Sequence, residues 1–310
     1  MSLCLPHFLF STSNFSAEKI SLRNAYEKNG IVYLSQFFDR ETLQSIDADL
    51  ATAEAMALEE LAQHWNHQRV RFFSKNPVQE IKPGVRSEDF VVTPYFQRSA
   101  QAVHLFFEEI EGKEVVNRIG HGLHLEKNLP HLQGAIYRNE ALQVLLQALG
   151  YRHPRCLMST YIPKYPNGEG SEVRPHQEST FAHTDPLSAL VLWIALEDAT
   201  VENACLWGLP GSHRLPLKFI SCVDHERKTR DYRKINEVAI PAFDPAAGQY
   251  QPLEVKAGDA LCFHGNFVHC SPRNLSPRSR KALTFQFIDT AGVVFSPFNW
   301  IQRQASPRIY

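Results

Sequence analysis

Three side chains in this sequence are of the types that one bound metal ion uses: His176 and Glu178, two residues apart, and His269, much further along. Two imidazoles and one carboxylate are the protein's share of a non-haem Fe(II) site. They fill three positions and leave the others for a co-substrate and O2. Arg280 follows His269 closely enough to hold the far carboxylate of a 2-oxoacid such as 2-oxoglutarate through a charge-assisted, bidentate contact. On a β-strand residues i and i+2 face one side, so His176 and Glu178 present together and His269 must arrive on another strand. A second pair, His183 and Asp185, obeys the same alternation and carries the acid more usual in such sites. Spacing to His269 does not choose between the pairs. Pro186 biases Asp185 towards extended or turn geometry, which suits a strand as well as a loop leaving the site.

The elements that must position these groups fall into two stretches. Residues 16–28 read as a helix capped by Ser16, with Ile20, Leu22 and Tyr26 as its apolar positions and Gly30 ending it. Residues 31–34 read as a β-branched strand. Asp39 caps a long helix with Leu43, Ile46, Leu50, Ala53, Ala57 and Leu61 at helical spacing. Residues 69–93 read as short strands and turns, 103–107 as a strand, and 140–149 as a helix closed by Gly150. Beyond Gly150, short apolar strands are expected at 158–162, 189–196, 205–209, 260–263 and 283–288, separated by turns such as Pro166-Asn167-Gly168. Several short strands at this spacing suggest a β-sandwich or barrel, with a jelly roll the natural choice. The expectation is a mainly β chain with flanking helices: one domain over 1–310, a mostly helical flank at about 16–150 and a jelly-roll core at about 151–290.

Composition narrows the partners. With 44% hydrophobic and 21% charged residues, the chain has the make-up of a folded protein, and its 310 residues can bury a large core. A formal net charge of −1 gives no basic field for nucleic acid or an anionic membrane. The six cysteines show no Cys-x-x-Cys spacing, which points to buried thiols in a reducing compartment. The longest apolar stretch, within 189–196, is too short to span a bilayer. With no basic signal region at its start, the expected location is the cytoplasm and the expected partner a small-molecule substrate; oligomeric state does not read out. The mixed charge run at 224–234 reads as a solvated loop or helix, inside a segment, 216–245, expected to cover the site. His121 and His124 read as structural or pocket-wall groups, His213 as a turn residue, and His264, Phe72, Phe73, Phe106 and Phe107 as packing residues.

Longer motifs resemble a known family. Pro175-His176-Gln177-Glu178-Ser179-Thr180-Phe181, Trp193 through Thr200, Cys205-Leu206-Trp207 and Pro210-Gly211-Ser212-His213 look like the phytanoyl-CoA dioxygenase family, above all its branch of phytanoyl-CoA dioxygenase domain-containing proteins. Asn117 through His124, Gly258-Asp259, Val268-His269, Asn274-Leu275-Ser276, Arg278-Ser279-Arg280 and Asn299-Trp300 continue the likeness. The resemblance implies a double-stranded β-helix (a jelly roll), Fe(II) as metal and 2-oxoglutarate as co-substrate. It assigns the metal to His176, Glu178 and His269 rather than to the rival pair, and the far carboxylate of 2-oxoglutarate to Arg280. Trp193, Thr160 and Arg118 match positions beside the co-substrate. The implied reaction is hydroxylation of a small-molecule or acyl substrate with O2, releasing succinate and CO2. Three residues depart from the pattern: Glu178 for Asp, Arg118 for Lys and Ala204 for Gly. The first leaves open an alternative, a jelly-roll module that keeps metal or 2-oxoglutarate without turnover; a metal-dependent enzyme without 2-oxoglutarate is a third.

Overall fold

The structure, a computed structural model, describes residues 5, 7–9, 12–65, 94–110, 112–168, 172–302 and 307–310. The expected strands at 69–93, and Phe72 and Phe73, lie outside them. Helices α1 (Thr12–Asn29), α2 (Arg40–His64), α3 (Pro94–Arg98), α4 (Pro130–Tyr137) and α5 (Glu140–Ala148) all fall in the first half. Four strands are interleaved with them: β1 (His7–Leu9), β2 (Ile31–Ser35), β3 (Val103–Ile110) and β4 (Lys113–His121). The second half adds β5 (Pro154–Ile162), β6 (Val173–His176), β7 (Thr184–Asp185), β8 (Leu190–Ala195), β9 (Leu206–Gly208) and β10 (Phe219–Asp224). It continues with β11 (Thr229–Lys234), β12 (Gln251–Leu253), β13 (Ala260–His264), β14 (His269–Ser271), β15 (Ala282–Asp289) and β16 (Val294–Phe295).

Strands from both halves pair in one large sheet, in the order β1-β2-β13-β8-β15-β5-β4-β3, and a smaller sheet runs β12-β9-β14-β6. Strand alternation explains how the large sheet is packed. On β8, Leu190, Leu192 and Ile194 join the core shared with the helices, while Val191, Trp193 and Ala195 join the core shared with the small sheet. Both faces are covered, so the whole strand is buried, and its sequence is a continuous apolar run rather than an alternating one. β15 divides likewise: Leu283, Phe285 and Phe287 point to the helical layer, which leaves Ala282, Thr284 and Gln286 towards the small sheet. The site lies in that inter-sheet space.

Several expected elements differ in detail. Helix α1 begins at Thr12, in a run of residues that all favour N-caps, and Ile20 is 77% exposed. Leu22 and Tyr26 are buried one helical turn apart, and Ile20 stands about 200° round the axis from Leu22. Asp39 does cap α2, accepting a hydrogen bond from the Thr42 amide at 2.8 Å. The charge run at 224–234 is an exposed loop only at the turn 225–228, and the rest is strand: β10 and β11 form an antiparallel hairpin with Cys222 opposite Asp231 and Ser221 opposite Tyr232. Cross-strand pairing held that register where sequence periodicity was hidden by charge. Phe106 and Phe107 are buried. Cys156, Cys205, Cys222, Cys262 and Cys270 are buried. No helix among the described residues is long and apolar enough to cross a membrane.

Candidate metal and co-substrate site

β6 and β14 lie side by side with His176 directly opposite His269. That register brings the two imidazole centroids to 4.2 Å. Strand β6 ends at His176, but Gln177 keeps extended dihedrals, so side-chain alternation continues for one more residue. Glu178 therefore returns to the face of His176 as the first residue of a short 3-10 turn. Gln177, pointing the other way, is buried and ties neighbouring loops together. Its amide donates to the carbonyls of Pro216 and Asn266, and its oxygen accepts from the Lys218 amide. The turn after Glu178 needs Gly265: Ser179 donates its amide to the Gly265 carbonyl at 2.9 Å. A Cβ at Gly265 would stand 2.4 Å from Ser179 Oγ and 2.8 Å from the Ala189 carbonyl.

The three side chains are aimed as metal ligands are. Each histidine uses Nδ1 against a backbone carbonyl, His176 on Arg174 at 2.8 Å and His269 on Phe267 at 3.0 Å. A carbonyl only accepts, so Nδ1 carries the hydrogen and the Nε2 lone pair is left for an ion. Burial and the neighbouring His176 push His269 down to about 4, which keeps it neutral. Glu178 Oε2 stands 3.3 Å from His176 Nε2 and 3.7 Å from His269 Nε2. Burial opposes the Glu178 charge, yet His176, His269 and Arg118 outweigh it and hold the carboxyl below its usual range. One ligand atom from each residue lies within 4.8 Å of the others, and no other group of three potential ligands meets that test among the described residues. Two imidazole nitrogens and a carboxylate suit Fe(II). Asp185 is exposed at the end of β7, in a separate two-stranded ribbon, so the rival pair joins no such cluster among the described residues.

A second group of expected residues lines up across four strands. Trp193, Thr284, Thr160 and Gly120 are successive cross-strand neighbours, forming one row. Gly120 keeps the row open, because a Cβ there would meet the Ser159 carbonyl at 2.6 Å and Thr160 Oγ1 at 3.1 Å. Arg280 is 1% exposed, with Nε and Nη1 lacking hydrogen-bond partners among the described residues, and the Thr160 hydroxyl is likewise buried without one. The guanidinium carbon lies 5.4 Å from the Trp193 ring centre. Burial draws Arg280 down to about 10 and Arg118 to about 9, so both stay cationic at neutral pH. Buried donors with nothing to bind cost about 1–3 kcal/mol each, and a carboxylate satisfies them. Arg118, on β4, has its Nε on Asn117.

Sequence reasoning passed over Gln286. On the inward face of β15, it donates its side-chain amide to Glu178 Oε1; its signal was the alternation Ala282, Thr284, Gln286. Lys164 and Ser271 also went unremarked. The histidines set aside behave as structural groups. The His124 ring nitrogen bonds Ser159 Oγ at 2.7 Å, His121 packs on Trp300, His213 reaches the Glu27 carbonyl, and His264 accepts from the Asn266 amide.

Comparison with known proteins agrees with this architecture. The family model described as phytanoyl-CoA dioxygenase matches residues 26–282. Phytanoyl-CoA dioxygenase 1 of Oryza sativa is 39% identical over 70% of this chain and 77% of its own. Phytanoyl-CoA dioxygenase domain-containing protein 1 of Rattus norvegicus is 36% identical over 68% and 73%. Among solved structures, the epimerase SnoN, in complex with Fe3+, alpha ketoglutarate and nogalamycin RO, superposes with a TM-score of 0.54 at 18% identity. That match covers 91% of this chain and 88% of SnoN, a likeness of fold. On the family match and the identity to these relatives, the chain belongs to the phytanoyl-CoA dioxygenase family of oxidoreductases.

Proposed function

We propose that this protein is an Fe(II)- and 2-oxoglutarate-dependent dioxygenase acting on a small organic substrate, built as one domain. The observation that carries this reading is the pairing of two features in one inter-sheet space. One is a His176-Glu178-His269 cluster with its lone pairs converging. The other is a buried Arg280 whose donors await a carboxylate. SnoN, of the same fold, was solved with both an iron ion and alpha ketoglutarate.

In this reading His176, Glu178 and His269 hold the metal from one side, and Arg280 pairs the far carboxylate of 2-oxoglutarate through its free Nε and Nη1. Trp193 stacks against the guanidinium and fixes its plane, the Thr160 hydroxyl donates to the same anion, and Arg118 adds positive charge beside Glu178. Iron, when bound, supplies oxidative decarboxylation of the 2-oxoacid by O2, with succinate and CO2 released and a substrate C–H oxidised. The protein orients the partners and keeps bulk water from the inter-sheet space. Glu178 differs from the usual aspartate by a methylene, and Gln286 gives the longer side chain a fixed place.

Anaerobic addition of Fe(II) and 2-oxoglutarate to the purified protein tests the reading. A visible metal-to-ligand charge-transfer band that depends on both components is the expected result. Its absence from a protein that is folded and binds Fe(II) would leave the binding-module alternative.

A further inference from the structure

Lys164 is 4% exposed and is neither a ligand of the metal cluster nor a residue of the Trp193 row. It follows the end of β5 with φ at 31°, in the left-handed region that a side-chain-bearing residue seldom adopts. Neighbouring chain holds it there: its carbonyl accepts from the Arg280 amide at 3.1 Å and from the Asn274 side chain at 3.2 Å. The ammonium is thereby directed inward, where Nζ donates to Ser271 Oγ at 2.7 Å. Ser271 lies two residues after His269 on β14, so the two side chains share a face.

The charge around Lys164 is unusual for a buried lysine. Among the described residues no carboxylate is within ion-pair distance of it. Burial first, and then the positive charges of Arg280 and Arg118, hold it well below the ordinary lysine range. A buried ammonium with no anion beside it is pushed towards its neutral form, and an anion bound there restores the charge; among the described residues the chain supplies no such anion. Arg280, with its free donors, marks where an anion belongs. Ser271, receiving a hydrogen from Lys164, must aim its own hydroxyl hydrogen elsewhere.

We propose that Lys164 is a positioning residue of the co-substrate site: anchored on Ser271, it adds a second positive charge behind Arg280 and selects 2-oxoacids that carry a second carboxylate. The inference rests on the co-substrate reading above. It assigns Arg280 the direct contact, and Lys164 the field and the orientation of Ser271.

The test is anaerobic calorimetric titration of the Fe(II)-loaded full chain with 2-oxoglutarate and with 2-oxopentanoate, which has the same carbon count and no second carboxylate. The wild-type protein is expected to prefer 2-oxoglutarate. Lys164→Met should weaken 2-oxoglutarate roughly tenfold or more and leave 2-oxopentanoate within about twofold, and Lys164→Arg should recover part of the loss. Equal weakening of both acids, or of neither, overturns the proposal. Should the melting transition show Lys164→Met unfolded, Ser271→Ala, which removes the anchor and keeps the ammonium, is read by the same ratio. A wild-type protein that binds Fe(II) but no 2-oxoglutarate would remove the co-substrate reading itself. Loss of preference in Arg280→Met but not in Lys164→Met would remove only this inference.

Discussion

Gln286 donates its side-chain amide to one oxygen of Glu178, and the other oxygen is left facing both His176 and His269. The two residues come from different parts of the chain, one on β15 and one in the turn after β6, and neither position is fixed by the other's local sequence. The contact removes the rotational freedom that an extra methylene gives glutamate over aspartate. Partners of metal ligands typically change metal affinity or activity by about 10–100-fold. Gln286→Leu should therefore weaken Fe(II) or Co(II) binding within that range while the melting temperature of the metal-free protein moves little. Equilibrium dialysis of both proteins measures it.

Glu178→Asp is expected to weaken the metal as well, although it installs the acid more usual in such sites. A shorter side chain withdraws the carboxylate by about 1.5 Å, away from the Gln286 amide. The expected loss is about tenfold, with Glu178→Ala losing far more. Tighter binding in Glu178→Asp than in the natural protein would show that Gln286 does not hold the glutamate in place.

Arg280 makes opposite predictions for the free and the loaded protein. Its buried donors lack partners, so Arg280→Met should stabilise the ligand-free fold, by about 1–3 kcal/mol. The same variant should lose the rise in melting temperature that 2-oxoglutarate gives the Fe(II)-loaded wild type. Differential scanning calorimetry with and without the 2-oxoacid reads both. Arg280→Lys keeps the charge and forfeits the fork of donors, and falls between.

His264 sets a pH limit on stability. Its Nδ1 accepts a hydrogen bond from the Asn266 amide at 2.9 Å, so protonation at that nitrogen breaks the bond. Burial and the nearby His213 hold the group down at about 4. The unfolded chain takes up this proton near 6.5 and the folded one does not. The contribution is complete above pH 6.5, falls as pH drops from 6.5 towards 4, and then levels, for a total on the order of 3 kcal/mol. Urea unfolding at pH 7.5 and 4.5 should show the fall, and His264→Asn should reduce it.

The candidate ligands were legible because each has a distinctive side chain near a motif: His176 and Glu178 two apart, His269 after the apolar run of β13, Arg280 beyond it. Gln286 and Lys164 were not legible, because glutamine and lysine are ordinary surface residues until the fold sets them in the inter-sheet space. Helix α2 was legible from its periodicity and its Asp39 cap. Strand β4 was passed over: Lys113 to Arg118 mixes charged and apolar residues, and the pairing with β3 that makes it a strand is a tertiary fact. The β10–β11 hairpin was misread for the same reason.

That hairpin is hydrogen-bonded strand to strand as a sheet of its own, joined to the rest by contacts such as the Val223 amide on the Phe298 carbonyl. Arg230 rests there between Tyr232 and Phe181, whose ring is 6.1 Å from that of His176. The residues proposed to hold iron and 2-oxoglutarate are all rooted elsewhere, in the two stacked sheets and the turns between their strands. The molecule is thus divided like a tool with an interchangeable head. A hairpin transplanted from a relative could alter which molecule is oxidised while the oxidising end is inherited intact, and laboratory evolution of this chain has its natural target in residues 216–245.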